Sequence, residues 1–189
     1  MDYKLKRLNR ELVSPGKALE FYRDTMELPD GRTEKWDFVH HKRGGGACVV
    51  PVLPDGRVLM IHQYRPAVDR ETTELPAGAF DADDPDFAVT ASRELEEETG
   101  YKCGKIRRLV RLDTAIAWCD EKVEIYLAED LYKAGGQQLD DAEEIGLEAI
   151  PVEELRRRIF AGEMRDAKTV AGILAYLAVL SGAQTAPHT

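Results

Sequence analysis

The sequence predicts an α+β domain with a mixed sheet, preceded by a β-rich amino-terminal arm. Three observations carry this expectation. Short runs of β-branched and aromatic residues recur on either side of turn signals, and "PDG" stands at both 29–31 and 54–56. The acidic segment "DDPDFAVTASRELEEETG" at 83–100 has both a helix start and a helix stop. Beyond residue 150 the pattern turns helical: Pro151 precedes Glu153 and Glu154, and the apolar run "VAGILAYLAVL" fills 170–180.

Taken in order, "EFYRDTMEL" and "TEKWDFVHHK" flank the first "PDG" and read as a hairpin within the arm. "RGGG" at 43–46 is punctuation. "ACVVPVL" and "RVLMIHQY" flank the second "PDG" and read as another hairpin. "ETTELPAG", "IRRLVRLD" and "KVEIYLAED" continue the strands. An acidic helix is expected over about 85–99, one helix from Pro151, and one from about Ala167 to Ser181.

Composition narrows the function. Hydrophobic residues are 43% and charged residues 32% of the 189, an ordinary globular balance. The run at 170–180 is too short to span a bilayer, and "MDYKLKRLNREL" lacks the apolar core of a secretory signal, so no membrane is expected. Three separated cysteines, Cys48, Cys103 and Cys119, argue against a disulfide frame or zinc site and fit the cytoplasm. A net charge of −9 argues against nucleic acid as partner, so an anionic ligand needs local cations or metal.

The acidic helix is where that metal is expected. Asp84 can cap it, Pro85 suits its first turn, and Gly100 suits the left-handed position that ends it. Glu94, Glu97 and Glu98 stand at i, i+3 and i+4 and share one face, with Glu96 nearly opposite; Ala88, Ala91 and Leu95 form the docking stripe. Like charges close to a helix's negative end are destabilising, and Arg93 offsets only part of this through Glu97. Clustered carboxylates are hard donors suited to Mg2+ or Mn2+; a solvated acidic face is the bland alternative.

From Gly78 through "RELEEETGY" the segment resembles the Nudix box, whose usual form is Gly, five residues, Glu, seven residues, then Arg-Glu-aliphatic-any-Glu-Glu-any-Gly-aliphatic. Gly78, Arg93, Glu94, Leu95, Glu97, Glu98 and Gly100 match. The gap before Arg93 is one residue longer, Asp83 or Asp84 stands for the first glutamate, and Tyr101 replaces the last aliphatic. The resemblance implies a Nudix α/β/α sandwich with a mixed sheet over residues 46–182, an arm over 1–45 as a dimerisation element, and a flexible tail over 183–189. It implies Glu94 and Glu98 as metal ligands, Glu97 and the carbonyl of Ala77 assisting, and Arg93 and Glu97 among the catalytic residues.

"QYRPAV", "TELPAGAFD", "GRTEKWDFV" and "GEMRDAKTVAGILAYL" are similar to the ADP-sugar pyrophosphatase branch, ADP-ribose hydrolases included. That likeness implies Trp36 as a stacking platform for a nucleobase, although a strand-core tryptophan is as good a reading. It implies Asp37 as an acceptor beside the base, Arg65 as a planar fork for a diphosphate, and Glu74 as a ligand contact or an organiser of the site. A loop glutamate within "QLDDAEEIGLEAIP" at 138–151 is implied as the base, Glu143 first and Glu144 second. His40 and His41 receive no role. Ile116 falls where similar enzymes carry proline, and Trp118 either lines the pocket or is buried.

The activity implied is Mg2+-dependent (or Mn2+-dependent) hydrolysis of a nucleoside diphosphate sugar, ADP-ribose to AMP and ribose 5-phosphate, by a homodimer with exchanged arms. The alternatives are another diphosphate such as GDP-mannose, FAD or coenzyme A, and a non-catalytic module that binds nucleotide sugars.

Overall fold

The computed structural model describes residues 4–139 and 144–182. Glu143, named above as first choice of base, and the segment 183–189, named as a tail, lie outside the described residues. The described residues form ten strands and three helices, the α+β class expected. They divide into two compact units. One holds the chain up to Gly45 together with Asp113–Lys122; the other holds Gly46–Leu112 and the chain from Val123 onward.

The first unit is an antiparallel three-stranded sheet of β1 (Lys6–Pro15), β2 (Leu19–Glu27) and β3 (Thr33–His41). The first "PDG" makes the expected β2–β3 turn, with the Gly31 amide donating to the Leu28 carbonyl at 2.9 Å. Asp24 is buried on β2 and stays charged because Arg10 forks onto it at 2.7 and 2.6 Å. The same guanidinium lies over the Phe38 ring, 4.2 Å from its centroid. The excursion through residues 114–121 belongs to this unit and was not foreseen. Its Trp118 carbonyl accepts from the Val39 amide at 2.7 Å, and Asp120 accepts from the His41 amide at 2.9 Å and meets His40 Nδ1 at 2.6 Å. Trp118 and Ile116 are exposed, so neither is buried as an apolar side chain would prefer.

Apart from the end residues Gly45, Asp113 and Lys122, the second unit contains β4 (Gly45–Pro51), β5 (Arg57–Arg65), β6 (Arg70–Glu74), β7 (Ala77–Ala79), α1 (Phe87–Thr99), β8 (Tyr101–Asp113), β9 (Lys122–Lys133), β10 (Ile145–Pro151), α2 (Val152–Phe160) and α3 (Ala167–Leu180). One sheet runs β7-β4-β9-β8 and the other β10-β5-β6. Strand β4 is buried at every position because both its faces are covered. Cys48 and Val50, with Ile125 and Leu127 of β9, pack against Leu155 of α2 and Ile173 of α3. The alternate residues Ala47, Val49, Tyr126 and Ala128 pack against Ala91 and Leu95 of α1. Helices on opposite faces of β4 and β9 make the α/β/α sandwich.

Two strand expectations are corrected. The runs either side of the second "PDG" are joined by a tight turn, Gly56 amide to Leu53 carbonyl at 2.8 Å, but they share only the bridge Val52–Val58 and then enter different sheets. Period-2 patterning sees a turn and two strands and cannot see which neighbours each strand takes. "ETTELPAG" is two strands, because Pro76 has no amide to donate and breaks the ladder.

Candidate active site

Helix α1 starts at Phe87, and its cap is Asp86 rather than Asp84. The Asp86 carboxylate accepts from the amides of Ala88 at 2.9 Å and Val89 at 3.0 Å. The helix stops as expected at Gly100, which sits at φ 73°, a left-handed value that a side chain resists. Ala91 and Leu95 are fully buried, and this docking fixes the azimuth of the helix. Glu96 turns to the far side and pairs with Lys102 at 3.1 Å.

Freed from the cap, Asp84 does something else. Its carboxylate accepts from Arg93 Nη2 at 3.1 Å and from the Thr90 hydroxyl at 2.9 Å. Of the two aspartates offered for the first acidic position, Asp84 is thus the one joined to Arg93. Arg93 continues from there to Glu94 at 2.7 Å and to Glu97 at 2.8 Å, the i, i+4 contact anticipated. Burial pulls the Arg93 pKa down, but its hydrogen bonds and charge contacts with Asp84, Glu94 and Glu97 outweigh that and raise it.

Five consecutive residues, Glu74 to Gly78, connect this helix to a cleft. Glu98 is 4% exposed and accepts from the Ala77 amide at 2.9 Å. Gly78 lies against Glu94 so closely that a Cβ there would fall 2.0 Å from the carboxylate. Leu75 is buried in the core, and its amide donates to the Thr169 hydroxyl of α3 at 2.9 Å. Glu74, 2% exposed, turns into the cleft. Arg65 forks onto it at 2.8 and 2.7 Å, Thr72 donates its hydroxyl at 2.6 Å, and Lys168 donates as well. Burial pushes the Glu74 carboxyl up; the Arg65 and Lys168 cations and the Thr72 hydroxyl overcome this and hold it at about 2. The cleft encloses about 790 Å³.

Lys168 is the main residue that sequence reasoning missed. It stands in the first turn of α3 between Glu74 and Asp166, 2.9 Å from the latter, which also caps the helix through the Thr169 amide at 3.0 Å. Burial lowers its pKa and the two carboxylates raise it further, so the ammonium stays charged. The signal was available: a lysine in a first turn opposes the helix dipole and implies carboxylate partners. Arg65 feels Glu98 as well as Glu74, which puts the acidic helix and the cleft in one electrostatic neighbourhood.

Of the expected metal donors, Glu94, Glu97 and Glu98 share one helix face and are all hard oxygens. Among the described residues no three Asp, Glu, His or Cys side chains stand as a ready ligand cluster. The reason is visible: Arg93 holds Glu94 and Glu97, and the Ala77 amide holds Glu98. The donor chemistry fits a divalent cation, and it is the missing Cβ of Gly78 that lets the Glu94 carboxylate lie against β7. In the other unit Trp36 is 42% exposed on β3, so it is not the core tryptophan of the alternative reading, and Asp37 pairs with Arg23 at 3.0 Å. Glu144 is exposed immediately before β10.

Comparison with known proteins gives a consistent result. Residues 42–172 match the NUDIX domain family. An ADP-ribose pyrophosphatase of Bacillus subtilis is 32% identical over 170 residues, 89% of this chain and 90% of the relative. One from Mycobacterium tuberculosis is 32% identical over 182 residues, 96% and 87% of the two chains. A GDP-mannose pyrophosphatase of Citrobacter koseri is 30% identical over 155 residues, 75% and 80%. A crystal structure of an ADP compounds hydrolase superposes with a TM-score of 0.83 at 20% identity, covering 95% of each chain, a likeness of fold. With that match over more than half its length, and relatives of this identity across most of both sequences, the chain belongs to the NUDIX family.

Proposed function

We propose that the protein hydrolyses the pyrophosphate bond of a nucleoside diphosphate sugar, with ADP-ribose as first substrate and AMP and ribose 5-phosphate as products. One observation carries the reading: the segment Glu74 to Gly78 joins a cation-bearing cleft to a face of three glutamates within five residues. Relatives that act on ADP-ribose and on GDP-mannose support the substrate class.

Glu94 and Glu98, with Glu97 and the Ala77 carbonyl, would hold the cation, taken as Mg2+ or Mn2+. When bound, such a cation neutralises diphosphate charge and lowers the pKa of a coordinated water. The protein's own part is to position and to stabilise charge. Arg65, fixed in orientation by Glu74, presents its remaining N–H donors to a diphosphate oxygen. Arg93 holds Glu94 and Glu97 aligned until the site loads. Glu143 is the proposed proton acceptor, with Glu144 next in order.

The arm supplies the rest of the reading. Strand β1 is exposed along its length, with Leu8, Leu12 and Val13 uncovered, which suits contact with a second copy of the chain. In such a homodimer Trp36 would stack on the base and Asp37 would accept its hydrogen bonds. Three free thiols, at Cys48, Cys103 and Cys119, suit a reducing cytoplasm.

The test is product analysis by mass in heavy-oxygen water, with ADP-ribose, GDP-mannose, FAD and coenzyme A at equal concentration and Mg2+ or Mn2+ present. Labelled AMP or labelled ribose 5-phosphate is expected, and Glu98→Gln should lose at least about a hundredfold in kcat if the cation is held there. A guanine preference would move the substrate to GDP-mannose. Binding without turnover under either metal would leave only a nucleotide-sugar-binding module.

A further inference from the structure

Four cations line the cleft, Arg65, Arg70, Arg165 and Lys168, against two carboxylates, Glu74 and Asp166. Two of the cations are met. Arg65 forks onto Glu74 at 2.8 and 2.7 Å, and Lys168 is held between Glu74 and Asp166. The side chains of Arg70 and Arg165 have no ion pair or hydrogen bond among the described residues. Two uncompensated guanidinium groups thus converge on one concavity of a chain whose net charge is −9.

The register sharpens the point for Arg70. It lies directly opposite Arg65 across β5 and β6, and like charges so placed destabilise a strand pair. The acid nearest in sequence is turned elsewhere: Asp69, at φ 52°, accepts from the Tyr64 hydroxyl. Glu71 on the other side is exposed, 4.0 Å from His62. Among the described residues nothing balances Arg70, which faces an Arg65 whose own charge is already taken up by Glu74. A ligand that is itself an anion removes the conflict. Planar guanidinium donors match a phosphoryl group, whose oxygens accept in pairs.

We propose that Arg70 and Arg165 form a phosphate-binding pair in the cleft that takes the phosphate monoester end released by pyrophosphate cleavage. The identity of the ester rests on the hydrolase reading above; the binding of a phosphoryl oxyanion does not. Either product could present this chemistry, the sugar phosphate or the nucleoside monophosphate.

The test is calorimetric titration of the full chain at low salt, with chelator present and no divalent metal, using inorganic phosphate, ribose 5-phosphate and AMP in turn. The parent is expected to bind phosphate, and Arg70→Gln and Arg165→Gln each to weaken it by roughly tenfold or more, as loss of one charge-assisted contact implies. Arg156→Gln, on the exposed face of α2 and away from the cleft, should bind as the parent does. Weakening confined to ribose 5-phosphate assigns the pair to the sugar end, and weakening confined to AMP assigns it to the nucleotide end. Arg70→Lys and Arg165→Lys keep the charge without the fork and should fall between, which guards against a Gln variant that fails to fold. The inference is overturned if the parent binds none of the three, or if the double Gln variant binds phosphate as tightly as the parent. Phosphate binding without turnover of any nucleotide sugar would remove the hydrolase reading and leave this one; turnover without such binding would do the reverse.

Discussion

Replacing Glu74 by glutamine removes the carboxylate to which both Arg65 and Lys168 donate. The carboxyl is 2% exposed, so solvent screens it little, and its pKa falls from 4.5 to about 2 on folding. At about 1.4 kcal/mol per unit, that depression corresponds to roughly 3 kcal/mol of stability at neutral pH. The sign is fixed by linkage. A carboxyl depressed on folding contributes in full above about 4.5, and the contribution disappears as pH falls through about 2. Glu74→Gln should therefore unfold with about 3 kcal/mol less free energy at pH 7, a Tm lower by roughly 6–12 °C for a chain of this size. Urea titrations of parent and variant at pH 7, 5 and 2.5 read the difference, because carboxylates away from Arg65 and Lys168 titrate alike in both. The gap should hold from pH 7 to pH 5 and narrow by pH 2.5. A gap of the same size at pH 2.5 would mean that packing, and not the charge of Glu74, supports the cleft.

Gly78→Ala should cost far more activity than stability: the new Cβ would fall 2.0 Å from the Glu94 carboxylate, which must move, and a displacement of about 1 Å in a positioning group can cost about a hundredfold in kcat/KM. A variant with parental turnover would remove Glu94 from the site. Asp86→Ala should destabilise by about 1 kcal/mol through loss of the helix cap, read by thermal melts, whereas the sequence-favoured cap Asp84 acts on Arg93 instead. Gly172→Ala should cost about 1–3 kcal/mol by urea denaturation, since its Cβ would meet Leu75 at 2.7 Å and both Val50 and Ile125 at 3.2 Å.

Elements governed by local rules were legible before any coordinates. The acidic helix could be read from its stop at Gly100 and from the spacing of Glu94, Glu97 and Glu98, and α3 from its unbroken apolar run. The β2–β3 hairpin followed from one turn signal. What escaped was non-local. No pattern in "RVLMIHQY" tells that β5 leaves β4 for β10 and β6, because its partners lie elsewhere in the chain. The cap was misassigned because three aspartates lie within four positions, 83, 84 and 86, and spacing alone cannot choose among them. Arg65 and Glu74 stand in the sequence as separate candidates, but Glu74 also takes Lys168, a partner 94 residues away. The spacing shows three donors on one face and the Arg93–Glu97 contact, but not that the same arginine also reaches Glu94 and Asp84.

Strand β4 has a consequence for how such a protein can change. Because its neighbouring side chains look into different cores, Val49 sets the height of the acidic helix while Val50 sets the seat of α3 and its lysine. A methylene gained at 49 nudges the glutamates, and one gained at 50 nudges the opposite wall. Two adjacent codons can therefore shift the two helices almost separately, and a drift experiment should find tolerated changes at 49 and 50 sorting by which helix they displace.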